Sequence, residues 1–273
     1  MKDIFGKECK ALQEKKLYLL DMDGTVYLDE ILFHGVAEFL QKIEENGGRY
    51  VFITNNASRS VKDYVAKMHR LGLKNITDEH FYTSVQASCK LLKEKHANDL
   101  VYAQGTASML EELAVQGIKV TRKFEEGIGA AIVGYDPEIT GEKLYQTCKV
   151  LTKKPSVPYY ATNPDWVCPV DFGYVPDCGS MCQGIFRATG REPIYIGKPE
   201  PTMVECAMKK YGATKSETVV IGDRLYTDIA SGNNAGVDTV CVLSGEVTLD
   251  EIKEAKGKEV PTYVLSGVWD IFA

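Results

Sequence analysis

Short apolar runs recur along the chain, three to five residues long, rich in β-branched and aromatic side chains. They occupy positions 17–20, 50–53, 194–196, 218–221 and 239–243. Continuous rather than alternating apolarity over so few residues predicts parallel strands buried on both faces. Between or after them lie longer amphipathic stretches. Positions 36–45 place Val36, Phe39, Leu40 and Ile43 on one helical face, ahead of a stop at Gly47-Gly48. This alternation of strand and helix predicts a doubly wound, mainly parallel, Rossmann-like α/β core. A second α/β pattern fills the middle of the chain, with strands expected at 100–103, 130–134 and 158–161 and helices at 84–95, 108–116 and 141–152. The chemically loaded segments lie outside that block. The expected organisation is a core of residues 1–82 and 180–273 carrying an inserted α/β cap domain at 83–179.

Composition narrows the function classes. The 273 residues are 44% hydrophobic and 26% charged, which suits a globular chain with one large core or two smaller ones. No apolar run approaches the roughly 20 residues of a membrane helix, so no membrane partner is expected. Residues 1–16 are charged and lack the apolar centre of a secretory signal, from which a cytoplasmic location is expected. The net charge of −6 and the absence of a basic block disfavour nucleic acid as a partner. Eight cysteines contain no C-x-x-C pair, and the four histidines form no ligand-spaced cluster. Free thiols in a reducing compartment are the expectation.

Four segments carry chemistry, and each follows a predicted strand. Asp21-Met22-Asp23-Gly24-Thr25 directly succeeds the run 17–20. There, at the carboxyl end of a strand, open α/β sheets build their ligand sites. Extended alternation would turn Asp21 and Asp23 to one side, and Gly24 would let the chain swing away. Gly222-Asp223 with Thr227-Asp228 follows 218–221, and Thr54-Asn55-Asn56 follows 50–53, supplying a hydroxyl and two amides suited to an anion. Gly197-Lys198-Pro199 follows 194–196. It is no nucleotide phosphate loop, because the preceding Gly190 is too distant and Pro199 stands where Ser or Thr is required. Pro199 and Pro201 instead favour a first helical turn near Lys198. Taken singly, each segment also reads as an ordinary turn or helix cap.

Together they point to one site gathering Asp21, Asp23, Asp223 and Asp228. Two such charges about 4 Å apart repel by about 4 kcal/mol at an effective dielectric of 20, so a cation is required. Oxygen-only ligands and a phosphate substrate favour Mg²⁺ over zinc. In the middle block, Asn163-Pro164-Asp165-Trp166 follows the apolar run 159–161, so Asp165 and Trp166 are expected on a loop that helps choose the substrate. The alternative is a structural turn with Trp166 packed in the cap core.

These motifs resemble the haloacid dehalogenase superfamily, in its NagD-like, p-nitrophenylphosphatase-type branch with a mid-chain cap. The resemblance runs through Asp21 to Thr25, Thr54 to Asn56, Gly197 to Pro199, Gly222-Asp223, Thr227-Asp228 and the segment Ala161-Thr162-Asn163-Pro164-Asp165. It implies a phosphoric monoester hydrolase in which Asp21 is the nucleophile and Asp23 the general acid and then base. It further implies that Asp21, the Asp23 backbone carbonyl and Asp223 bind Mg²⁺, with Asp228 in support. In that scheme Lys198 neutralises charge, and Thr54 and Asn55, within the triplet ending at Asn56, orient phosphoryl oxygens. The same motifs would serve a phosphotransferase or phosphomutase, or a non-catalytic phosphate-ligand sensor. The substrate, a small-molecule phosphate ester, is left open among sugar phosphates, phosphoglycolate, nucleotides and pyridoxal phosphate. A homo-oligomer is compatible with the resemblance, although no interface signature stands out.

Overall fold

The computed structural model describes every residue except Asp171. The chain divides into two compact units. The first comprises Met1–Thr54, Val65–Tyr82 and Lys198–Ala273, and the second Asn55–Tyr64 and Thr83–Gly197. Both are α/β, as the alternating pattern predicts.

The first unit is built on a six-stranded sheet in the order Tyr263–Leu265, Asp238–Val242, Thr218–Gly222, Leu17–Leu20, Arg49–Thr54 and Phe81–Thr83. Leu17–Leu20 runs parallel to Thr218–Gly222 on one side and to Arg49–Thr54 on the other. All four of its residues are buried, so it is apolar without alternation. The register sets Leu20 opposite both Ile221 and Phe52. The residues that leave these three strands therefore emerge at one end of the sheet, which is what places the site.

The second unit has its own five-stranded parallel sheet, ordered Ile194–Tyr195, Tyr159–Ala161, Ile128–Val133, Leu100–Gln104 and Lys119–Thr121. Tyr102, Val133, Leu151, Tyr159, Cys178, Cys182 and Ile185 share its buried core. A two-stranded antiparallel hairpin, Val167–Val170 with Gly173–Pro176, completes it. Among the described residues no helix is long and apolar enough to cross a membrane, and all eight cysteines are free.

The observed division differs from the expected one in two segments. Residues 180–197, read as core, belong to the second unit. Strand Ile194–Tyr195 pairs with Tyr159–Ala161, and helix Cys178–Thr189 buries Cys178, Cys182 and Ile185 in the second unit's core. A three-residue apolar run does not reveal which sheet it joins. Residues 55–64 also belong there, tied by Ser60 N to Ser108 Oγ at 2.9 Å, Val61 N to Glu112 Oε2 at 3.1 Å and Thr106 Oγ1 to Ser58 O at 3.0 Å.

Membership of helix Cys178–Thr189 in the second unit is testable through Ile185, which is 1% exposed. Ile185→Ala should cost about 2–5 kcal/mol, the usual range for truncating a large buried aliphatic side chain. Hydrogen exchange should accelerate in Ile128–Val133 and Tyr159–Ala161 while Leu17–Leu20 keeps its protection. The opposite distribution would return the helix to the first unit.

Candidate active site

Asp21 is the first residue beyond its strand, and its N–H still donates to Ile221 O at 2.8 Å. That bond fixes the backbone from which the carboxylate projects. Asp223 follows Gly222 at the end of the neighbouring strand. Asp228 lies on a wide π-type turn, Leu225–Ile229, which leads into helix Ala230–Ala235. Such widened turns are common at functional sites. Asp228 Oδ2 accepts the Arg224 N–H at 3.1 Å, closing the turn on itself.

Lys198 ties these elements together. Its Nζ donates to Asp21 Oδ1 and Asp228 Oδ1 at 2.6 Å each, and to Ile53 O at 3.2 Å. The side chain is 3% exposed, so these are charge-assisted bonds shielded from water. The helix expected near Lys198 begins only at Thr202, with Pro201 in the capping position. Lys198 thus acts from the connection between strand and helix and not from a helical first turn.

Two glycines are required by close approach. Gly24 has φ +83°, a left-handed conformation that strains other residues, and a Cβ there would lie 2.3 Å from Asp223 Oδ2. A Cβ on Gly222 would lie 2.3 Å from the Asp228 carboxyl carbon. The glycines of D-x-D-G and G-D therefore make room for carboxylates contributed by other segments.

The electrostatics follow from burial and crowding. Asp21, Asp223 and Asp228 bring carboxylate oxygens within 4.8 Å of one another. Burial, with repulsion from Asp228, holds the Asp21 carboxyl well above the usual carboxylate range despite the opposing pull of Lys198. Asp223 is pushed up to about 7, first by burial and then by Asp228. Burial alone would lower the Lys198 ammonium, but the Asp21 and Asp228 carboxylates outweigh it and hold it protonated beyond the ordinary lysine range. One lysine does not neutralise three carboxylates.

A divalent cation fits this arrangement. Asp223 Oδ2 accepts the Glu246 N–H at 2.8 Å, while Asp223 Oδ1 is buried with no hydrogen-bond partner. An unpaired buried carboxylate oxygen is costly, and the three nearby donors are all hard oxygens, as Mg²⁺ prefers. A cavity of about 300 Å³ beside Asp223 is lined also by Glu254 and by Arg224 and Glu246, the last two paired at 2.9 Å.

The other expected site residues have partners of their own. The Asp23 carboxylate does not join the three-carboxylate group. Strand Leu17–Leu20 ends before it, and the chain turns back with Val26 N on Met22 O at 2.9 Å, so extended alternation does not apply there. Asp23 Oδ1 instead lies 3.9 Å from Lys67 Nζ, and Oδ2 accepts from Tyr27 Oη at 3.4 Å. Thr54 is the last residue of its strand and is 3% exposed. Asn55 Nδ2 donates to Asp165 Oδ2 at 2.9 Å within the second unit. Asn56 Oδ1 accepts from Ser58 N and Oγ at 2.9 and 2.6 Å, a local turn.

Asp165 and Trp166 also divide. Asp165 is 3% exposed and accepts a second amide, Asn163 Nδ2, at 2.9 Å. Asn163 Nδ2 also reaches Asp177 Oδ1 at 3.1 Å, and Asp177 caps the helix at Cys178. This buried network gives Asp165 a structural duty. Trp166, expected under the structural alternative to pack in the core, is 56% exposed.

Sequence reasoning missed Lys67 and Tyr27. Lys67 had one signal: it stands three residues after Tyr64 and beside Met68, on the stripe Val61, Tyr64, Met68 of the helix Val61–Arg70, all of them buried.

Comparison with known proteins gives the family and the fold. A family model for haloacid dehalogenase-like hydrolases matches residues 18–119, and a HAD-hydrolase-like model matches 195–271. Phosphoglycolate phosphatase 2 of Arabidopsis thaliana is 33% identical, over 93% of this chain and 91% of its own. The crystal structure of a 4-nitrophenylphosphatase from Thermotoga maritima superposes with a TM-score of 0.89 at 34% identity, covering 96% of this chain and 97% of that one. A glycerol phosphate phosphatase from Mycobacterium tuberculosis, solved in complex with magnesium, superposes with a TM-score of 0.88 at 29% identity, covering 99% of this chain and 79% of that one. The register that brings Asp21, Asp223 and Asp228 around Lys198 is thus embedded in a fold shared along the whole chain, which belongs to the haloacid dehalogenase-like hydrolases, among the NagD-like phosphatases.

Proposed function

We propose that this protein is a Mg²⁺-dependent phosphatase that hydrolyses a small organic phosphate monoester through an aspartyl-phosphate on Asp21. The observation that carries the reading is the buried Lys198 ammonium, shared between Asp21 and Asp228 with Asp223 alongside. Asp21, Asp223 and the Asp23 backbone carbonyl would hold the cation, with Asp228 in support. When bound, the cation offsets negative charge on the phosphoryl oxygens and keeps the attacking carboxylate ionised.

The residues divide the work as follows. Asp21 attacks phosphorus in line, forming an O–P bond as the ester P–O bond breaks, which splits one difficult step into two. Asp23 gives its proton to the departing alkoxide, then takes one from the water that attacks the phosphorylated Asp21. Lys198 holds Asp21 in place and supplies positive charge where the phosphoryl group gains negative charge. The Thr54 hydroxyl is assigned to a phosphoryl oxygen. The Asn55 carboxamide is engaged by Asp165, so we assign it and the Asn56 turn to shaping the segment that follows Thr54. Exposed Trp166, not buried Asp165, is the candidate for choosing the leaving group. A reducing, cytoplasmic setting is part of this reading.

Two outcomes follow. Asp21→Asn keeps side-chain volume and should abolish phosphate release, measured with water as the sole acceptor. Rapid acid quench of the wild-type enzyme should locate a phosphoryl group on Asp21 by mass spectrometry. More than a few per cent of activity in freshly purified, non-deamidated Asp21→Asn would remove Asp21 from the nucleophile role. In addition, exhaustive chelation should silence the enzyme, and Mg²⁺ should restore it where zinc does so poorly. Asp223→Ala should weaken Mg²⁺ binding at least about tenfold by calorimetric titration, equal to about 1.4 kcal/mol. Full activity after chelation would refute the cation assignment.

A further inference from the structure

Lys67 is a buried cation outside the three-carboxylate cluster. A lysine on a helix ordinarily extends its ammonium to water, yet Lys67, on Val61–Arg70, is only 6% exposed. Its Nζ lies 3.6 Å from the centroid of the Tyr27 ring and 3.9 Å from Asp23 Oδ1. Tyr27 is fully buried, and its hydroxyl donates to Asp23 Oδ2 at 3.4 Å. The turn after Asp23 makes this meeting local: Gly24 N donates to Tyr27 O at 2.9 Å, and Asp23 and Tyr27 form an isolated β-bridge. The two oxygens of the Asp23 carboxyl therefore face different groups, an ammonium and a phenol, and the ammonium also sits on the face of that phenol ring. A cation so placed is attracted by the ring as well as by the carboxylate, so one charge holds both partners.

We propose that Lys67 is a positioning residue that orients Asp23 for proton transfer. The proposal rests on the assignment of Asp23 as general acid and base given above. At 3.9 Å the ammonium is beyond hydrogen-bond range and acts by charge and packing. In the first step the Asp23 proton passes to the ester oxygen as its bond to phosphorus breaks. In the second, water gives a proton to Asp23 as its oxygen bonds to phosphorus and the Asp21–phosphorus bond breaks. Lys67 exchanges no proton in either step. Its contribution is to keep the Asp23 carboxyl in one orientation, with Tyr27 braced beneath the ammonium.

Leaving-group dependence tests this. An alkoxide needs the Asp23 proton in order to depart, whereas p-nitrophenolate leaves without it, so a defect in proton delivery is felt by the first far more than by the second. Hydrolysis of glycerol 2-phosphate and p-nitrophenyl phosphate would be measured with Mg²⁺ for Lys67→Met, Lys67→Arg and Asp23→Asn. Lys67→Met should lose at least about tenfold more kcat/KM on the alkyl ester than on the aryl ester, within the 10²–10⁴-fold range of acid catalysis. Lys67→Arg should show the same selective defect at a smaller size, and it decides the matter if Lys67→Met does not fold. An equal loss on both esters, as a merely structural lysine would give, or no loss on either, would overturn the proposal. Asp23→Asn separates the two levels. If it discriminates between the esters and the Lys67 variants do not, only Lys67 falls; if it fails to discriminate, the Asp23 assignment falls first.

Discussion

Lys198, itself buried, donates to Asp21 and Asp228 at 2.6 Å each, and much of the first unit's local architecture permits that arrangement. An ammonium buried alone is heavily penalised, and so is each carboxylate. The three charges are tolerable only as a group, and the group forms only if the strand ends coincide. The pairing of Leu20 with Ile221 and with Phe52 provides that coincidence. Ile53 O then serves as a third acceptor for the same ammonium.

The constraint reaches outward through small residues. Asp228 can approach its strand only because Gly222 has no side chain, and Asp223 fits only because Gly24 and Gly245 leave it space; a Cβ on Gly245 would lie 2.0 Å from Asp223 Oδ2. Substituting these glycines would displace charges, and the displaced charges would lose their partners. The motif D-x-D-G is therefore a packing statement as well as a chemical one. Its glycine is demanded by a carboxylate about 200 positions further along the chain, at Asp223.

This explains which parts were legible beforehand. Asp21, Thr54, Lys198 and Asp223 could be found because each follows an apolar run, and such runs end where open α/β sheets place their ligands. Long-range partners carry no such mark. The joining of Ile194–Tyr195 to Tyr159–Ala161 depends on a pairing that a three-residue run does not specify. Asn55 reads as an anion ligand because of its neighbours, whereas the bond of its amide to Asp165, 110 residues away, leaves no mark in the sequence. Lys67 follows no apolar strand and drew no reading, although it stands beside Met68 on the buried stripe of Val61–Arg70. A charged residue on an apolar stripe is the pattern to look for.

Asp21 and Asp23 stand two residues apart and, in the proposed reaction, do opposite work. A nucleophile must be ionised, whereas an acid must hold a proton, so identical surroundings would make one of them useless. The fold separates them by ending the strand at Leu20 and turning the chain at Gly24. Asp21 is left among Lys198, Asp223 and Asp228, where carboxylates outnumber lysines and the proposed cation would restore balance. Asp23 is carried off to Tyr27 and Lys67, with its side chain 39% exposed. Access to solvent suits a group that must exchange protons with a leaving group and then with water, whereas burial strengthens the charge pairs of the ion cluster. The short turn from Asp21 to Tyr27 is thus what allows two aspartates in one motif to occupy a more buried site and a more exposed one, with side chains 14% and 39% exposed.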